Sequence, residues 1–406
     1  MTTPPICWVG EFNSYDERKG ALMRSGLKKR GFILVLMLVL ALVAAACSDD
    51  SGDDTTTTAA SGGEETTTTA GETEETTTTA AAETTTTAAP AEAVPVGMAY
   101  DIGGRGDQSF NDSAAAGLDK AVADYGIDAT ELEPAAGGEN REENLRLLAE
   151  AGNELVFAVG FAFEEAVTNA SVDFPDTAFA IVDSVVDAPN VTSLLFAEEQ
   201  GSALVGAAAA LKTTTGKIGF VGGVAGLGLI EKFEAGYVFG AQFVNPDIEI
   251  EINYLTEFPD FAGFSDPAKG KEAALAQYEA GADIVYHAAG GSGAGVFEAA
   301  KETSEASGTK VWAIGVDADQ YLTADPAVQE YILTSMLKRV DTAVYSTITN
   351  FLGEANQSGI VVLDLASDGV GYSTSGGFVD DIAAELDELR VAIVSGELEV
   401  PTEPAG

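Results

Sequence analysis

From Val94 onward the chain alternates between short apolar runs and longer amphipathic stretches. Pro95–Asp101, Glu154–Gly160 and Ala178–Asp183 read as buried strands, and Leu194–Gln200 leads into an alanine-rich helix that ends near Leu211. A second series opens at Lys217–Gly223 and continues with strands at Ile248–Leu255, Asp283–Ala289 and Val311–Asp317, then a strand-like Tyr331–Met336. Helical patterns lie between them, among them 111–125 and 269–280. Strands alternating with helices of about 10–15 residues predict parallel sheets with crossover helices, an α/β fold class. The roughly 310 residues after Val94 exceed a comfortable single core and favour two lobes. Several strands end in a polar residue or glycine: Asp101, Asp183, Gly222–Gly223, Gly290–Gly291 and Asp317. Open parallel sheets take their ligands at the carboxyl ends of strands, so two such lobes facing each other predict a hinged cleft.

The first 93 residues follow no such pattern. Lys28, Lys29 and Arg30 precede the apolar run Gly31–Ala46, which stops at Cys47. A basic flank, a short apolar core and small residues at its end describe a secretory signal. The run is sixteen residues long, short of the roughly 20 that span a bilayer. Small residues directly before a cysteine resemble the lipobox of bacterial lipoproteins, although Ala44 stands where leucine is usual. The expectation is a signal peptide over 1–46 and a lipidated Cys47 on the outer face of a membrane. A permanent anchor helix is the other reading, and it too places the remainder outside the cytoplasm. Glu11, Asp16 and Glu17 sit where a signal should be basic, which makes Met23 the better start.

Residues 47–93 carry four blocks of four threonines among Ala, Gly and Glu. Almost nothing there is apolar and larger than alanine, so no core can offset chain entropy, and a disordered stalk is expected.

Composition then narrows the chemistry. A formal net charge of −45 argues against nucleic acid, whose phosphates demand Lys and Arg. With Cys47 acylated no cysteine is left for a disulfide framework or a Cys-based metal site. His287 is the only histidine and sits mid-strand, a core position rather than a catalytic one. No Walker motif, metal set or cofactor fingerprint is evident. Gly290–Gly295 (GGSGAG) departs from the G-x-G-x-x-G spacing of dinucleotide binders.

An ordered set of motifs carries more. They are Asp107-Gln-Ser-Phe-Asn-Asp112, Phe179-Ala-Ile-Val-Asp183, Phe196-Ala-Glu-Glu-Gln-Gly201, Gly216-Lys-Ile-Gly-Phe-Val-Gly-Gly223, Asp266-Pro-Ala-Lys-Gly-Lys271, the run Gly281–Gly293, Gly315-Val-Asp-Ala-Asp-Gln320 and Thr334-Ser-Met-Leu-Lys-Arg339. Together they resemble the basic membrane lipoprotein family, the purine-nucleoside receptor class of ABC-transporter substrate-binding lipoproteins. The resemblance covers nearly all of 94–400. It implies a type I periplasmic-binding-protein fold, two doubly wound parallel-sheet lobes joined by three crossings. These are expected near 212–215, 320–330 and 350–358, giving one lobe of 94–213 plus 326–352 and another of 214–325 plus 353–402.

A nucleoside needs a flat apolar clamp for its base and acceptors for its ribose hydroxyls. Phe110 resembles the family's base-stacking phenylalanine; the plainer reading is a hydrophobic staple for the helix after it. Asn111 reads a base edge or caps that helix. Asp183 ends an apolar strand, an awkward place for an unpartnered carboxylate, and the family places a base contact there. Asp101 and Asp317 close strands in the two lobes, and an ionised Asp accepts two hydroxyl donors at once, which suits Asp317 to a ribose. Asp319 reads as structural. Gly291 is the glycine expected against the sugar. The family places a ligand-contacting lysine at Lys338, which either binds a hydroxyl or balances Asp101 and Asp317. Phe264 is the expected second stacking ring, with Phe261 its rival.

The resulting expectation is a monomeric receptor, not an enzyme, that passes a nucleoside to a separate permease and ATPase. A riboflavin receptor is the nearest alternative, since an isoalloxazine ring also stacks on phenylalanine. A nucleoside-processing enzyme and a surface signalling receptor are more distant.

Overall fold

The computed structural model describes residues 93–355 and 358–405. The signal segment, Cys47 and all but the end of the threonine-rich stretch lie outside the described residues.

The strands are β1 (Pro95–Ala99), β2 (Asp128–Leu132), β3 (Leu155–Ala158), β4 (Ala178–Val182) and β5 (Val191–Phe196), then β6 (Lys217–Ala225), β7 (Glu249–Glu257), β8 (Ile284–Ala288), β9 (Trp312–Asp317) and β10 (Ile332–Lys338), and last β11 (Gly359–Leu363) and β12 (Val370–Tyr372). They form two six-stranded sheets, ordered β11-β5-β4-β3-β1-β2 and β12-β10-β9-β8-β6-β7. All pairings are parallel except β10 with β12. The two orders are the same pattern used twice, so β4 and β9 hold equivalent places. Strands β3, β4 and β8 are buried along their whole length, as helices on both faces of a parallel sheet require. Strand β2 escapes the sequence pattern because it is a half-exposed edge.

The longer helices are α1 (Phe110–Tyr125), α2 (Arg141–Glu150), α3 (Glu164–Asp173), α4 (Glu198–Lys212), α5 (Leu229–Val244), α6 (Pro267–Glu279) and α7 (Gly293–Ser307). A single turn, α8 (Gln320–Thr323), precedes α9 (Val340–Leu352) and α10 (Ala383–Val394). The small residues of α4 serve close packing. A β-carbon at Gly206 would lie 2.1 Å from the Tyr237 carbonyl oxygen, and one at Gly240 on α5 would lie 1.9 Å from that of Ala203.

The crossings fall elsewhere than expected. Helix α4 packs on α5, β10, β12 and α10, so the chain changes lobes between β5 and α4, near Ala197. It returns between Lys338 and Val340, because α9 packs on α1. It crosses a third time between β11 and β12. The three passages are tied together: the Ala197 N–H donates to the Leu363 carbonyl at 3.0 Å, and the Arg339 N–H to that of Gly369 at 2.9 Å. Residues 198–213 and 326–338 therefore belong to the second lobe and β11 to the first. The reason is local. A lobe change at a strand–helix joint looks like any other βα turn in sequence. The conspicuous Thr213–Thr215 break is instead a turn pinned within one lobe, with Thr213 Oγ1 at 2.5 Å and Thr214 Oγ1 at 2.7 Å from the Asp283 carboxylate.

Candidate functional site

The carboxyl ends of both sheets open onto one cleft. It encloses about 690 Å³ of empty space, solvent at its mouth included, within the roughly 300–1,000 Å³ of small-molecule sites. Its walls include Asp101, Asp107, Phe110, Asn111, Arg141, Phe161 and Asp183 from the first lobe, and Leu229, Phe233, Phe261, Phe264, Gly290, Asp317 and Lys338 from the second.

The loop after β1 is organised by Asp107. Its carboxylate accepts the N–H groups of Ser109 (2.9 Å), Asn111 (2.9 Å) and Asp112 (3.1 Å), satisfying donors that the start of α1 would otherwise leave orphaned. Asn111 is therefore not the helix cap. Its amide ties the loop together, accepting from the Asp101 N–H at 3.1 Å and donating to Asp107 Oδ2 at 3.0 Å and, more loosely, to the Ile102 carbonyl. Both N–H donors are thus spent, and a lone pair on Oδ1 is what remains for a ligand.

Asp101 is not balanced by Lys338. Its Oδ1 receives Arg141 Nε at 2.8 Å and the Ile102 N–H at 2.8 Å. Burial pushes the carboxyl above its ordinary range, although Arg141 opposes this. The Arg141 guanidinium lies 5.6 Å from the Phe261 ring of the opposite lobe and 5.8 Å from Phe163. Sequence reading missed Arg141 because it lies 40 positions from Asp101 in an ordinary amphipathic helix.

Asp183 and Asp317 follow or end the equivalent strands β4 and β9, and both adopt left-handed backbone, φ 68° and 63°. A non-glycine residue there costs on the order of 1 kcal/mol or more and persists only where its surroundings enforce it. Asp183 Oδ2 meets Lys338 Nζ at 2.6 Å, while its Oδ1 is buried without a hydrogen-bond partner among the described residues. Lys338 Nζ also reaches Glu198 at 3.1 Å. The ammonium sits among the rings of Phe110, Phe196 and Phe233, 5.1–5.6 Å from their centroids. Burial opposes its charge, but Asp183, Glu198 and Asp317 outweigh that and raise its pKa above the usual lysine value. Burial raises both aspartates to about 6, with Lys338 pulling the other way. Burial therefore governs the two aspartates, while the surrounding carboxylates govern Lys338.

Phe264 and Phe261 both line the cleft. Phe264 packs over Gly223, where a β-carbon would come 2.5 Å from its ring. Phe261 meets Phe161 of the first lobe edge-on at 5.7 Å. Of the pair Gly290 and Gly291, the former lines the cleft; a β-carbon at Gly291 would point at the Phe264 carbonyl (3.4 Å) and Asp107 (3.6 Å). The remaining expected site residues, Asp101, Phe110, Asn111, Asp183, Phe264, Asp317 and Lys338, all reach the cleft. Phe161, Leu229 and Phe233 were missed, since apolar residues opening a helix carry no sequence mark that separates lining from core. Asp319 accepts from Ser375 Oγ at 2.6 Å, a structural contact. His287 is wholly buried and edge-on to Phe297, and burial pushes its pKa down to about 3, so it is uncharged.

Two parallel-sheet lobes with three crossings and a cleft between their strand ends define a hinged solute-binding protein. The family model described as ABC transporter substrate-binding protein PnrA-like matches residues 94–403. The chain belongs to this Bmp family of ABC-transporter substrate-binding proteins, and it is a binding protein, not an enzyme. A second model, the New glue protein family, matches residues 29–104, a stretch dominated by the threonine blocks. The chain is 36% identical over 322 residues to the CD4+ T-cell-stimulating antigen of Listeria monocytogenes, spanning 76% of this chain and 88% of that relative. It is 35% identical over 318 residues to the ABC transporter nucleoside-binding protein BmpA of Lactococcus lactis, spanning 75% and 88%. A solved ABC transporter solute-binding protein of Aeropyrum pernix aligns at a TM-score of 0.67 and 29% identity, covering 77% of this chain and 94% of the other.

Proposed function

We propose that the cleft captures a nucleoside, a purine one by preference, and delivers it to a membrane permease driven by a separate ATPase. The observation that carries this reading is the pairing of Asp183 and Asp317, residues with buried carboxylates at equivalent strand ends, with phenylalanines around the same cavity. Carboxylates accept the hydrogen bonds that ribose hydroxyls donate. An aromatic face holds a base by stacking worth about 1–3 kcal/mol. The Asp183 oxygen without a partner is a costly feature that a bound donor would relieve. The relative from Lactococcus lactis, named a nucleoside-binding protein, supports the same choice. Isothermal titration with inosine, guanosine and adenosine is the test. Saturable heat with at least one is expected; silence with all three refutes the assignment.

The receptor works as a monomer outside the cytoplasm, tethered through an acylated Cys47. Cys47→Ala should move the protein from the membrane fraction to the medium, as immunoblotting of both would show. Unchanged membrane retention would instead favour an uncleaved anchor helix.

A further inference from the structure

Ser109 stands at the amino-terminal cap of α1, yet its hydroxyl makes no capping bond. Asp107 has taken over that task. The Ser109 hydroxyl, fully buried, donates instead across the cleft to Asp317 Oδ2 at 2.6 Å. Next to it, the Gln108 carbonyl accepts Gln320 Nε2 from the second lobe at 3.0 Å. Gln320 is itself buried and braced, its Oε1 accepting the Val316 N–H at 2.8 Å. Gln108 and Asp317 both hold left-handed backbone, φ 56° and 63°. Two strained loops, one from each lobe, thus meet at the carboxylate assigned to the ligand.

We infer that Ser109 is a positioning residue that couples ligand capture to lobe closure, by locking one oxygen of Asp317 to the first lobe and leaving the other for the ligand. The inference rests on the ligand site proposed above. When the lobes part, the Ser109–Asp317 and Gln108–Gln320 bonds must both break. A ligand held by Asp317 therefore leaves only after the Ser109 bond is broken. The hydroxyl acts on the rate of escape, because encounter with the open cleft precedes its formation. Other groups share the field at Asp317: Lys338 on β10, Asp107 before α1, Asp183 after β4 and Tyr286 on β8. Ser109, unlike these groups, bonds directly to the carboxylate from the opposite lobe.

Ser109→Ala tests this, since it removes the hydroxyl without removing a cap. Losing a hydrogen bond to a charged group should weaken inosine binding about 10- to 100-fold, through faster dissociation with an unchanged association rate in stopped-flow traces. Because the Ser109 hydroxyl helps to keep Asp317 ionised, the acid midpoint of binding should also move to higher pH. A wild-type dissociation rate, or a weaker affinity with an unmoved midpoint, would overturn the coupling. If the wild-type protein binds no nucleoside, the ligand reading fails by itself. Hydrogen exchange of the unliganded full chain then decides the matter. Faster exchange over 316–323 in Ser109→Ala supports an interlobe latch, and unchanged exchange there overturns it.

Discussion

Asp317→Asn should bind nucleoside about 10- to 100-fold more weakly than the wild-type protein, as expected when a hydrogen-bonding partner loses its charge. Asparagine is the informative choice because it also tolerates left-handed backbone, which Asp317 adopts at φ 63°. The change therefore removes charge with little added strain. The pH dependence supplies a second readout. Burial raises Asp317 to about 6, so the carboxylate is ionised above that pH and takes up a proton below it. Wild-type affinity should fall as pH drops from 7 to 5, since a protonated carboxyl loses acceptor strength. In Asp317→Asn that fall should shrink to the part contributed by Asp183, which is raised into the same range. Calorimetric titrations at pH 7 and 5 measure both effects. An asparagine variant with wild-type affinity would remove Asp317 from the site.

Lys338→Met should lower the unfolding free energy by about 3–5 kcal/mol at neutral pH, the cost of stranding buried charge when one partner is removed. The Lys338 side chain is 2% exposed and those of Asp183 and Glu198 are 4% and 1% exposed, so water cannot screen what the ammonium leaves behind. Methionine keeps the apolar stem among Phe110, Phe196 and Phe233, which confines the loss to charge. The sign with pH follows from Asp183. Its carboxyl already titrates near 6 in the folded protein, above the ordinary 3.8, and losing the ammonium moves it higher still. Between the ordinary and the raised value the folded state binds more protons than the unfolded one. Stability of the variant therefore rises as pH falls through that window. Urea unfolding at pH 8 and pH 5.5 should show the larger deficit at pH 8. A deficit below about 1 kcal/mol at pH 8 would contradict the 3–5 kcal/mol expected for a broken buried pair.

The two variants probe one polar centre from opposite sides. Lys338 permits carboxylates to exist in the buried floor of the cleft, and Asp317 uses its share of that permission to hold a donor. Ser109 then links the same carboxylate to the movement of the lobes. A small change at any of the three is felt by the others, so their effects should not add.

Much of this site is legible along the chain. Strand ends such as Asp183 and Asp317 stand out because a carboxylate closing an apolar run is anomalous over a window of six residues. Phe110 stands out because it follows a glycine-rich loop. The sequence points to Gly291 where Gly290 lines the cavity, because the backbone turn that decides between them is not encoded in their identities. Phe161, Leu229 and Phe233 were invisible because lining and core residues share one composition.

The apolar periodicity determined the α/β class, the two repeated series and the strand-end carboxylates that reach the cleft, since each depends on residues within one turn or one strand, while the family resemblance supplied the ring at Phe110. The folded structure alone decided the partners: Arg141 for Asp101 across 40 positions, Lys338 for Asp183 across 155, and Ser109 for Asp317 across 208. It likewise moved the lobe crossings to near 197, 339 and 364–369. Pattern reports which face of an element is buried, but pairing and crossing depend on which elements the sheets bring side by side, and no local window holds that information.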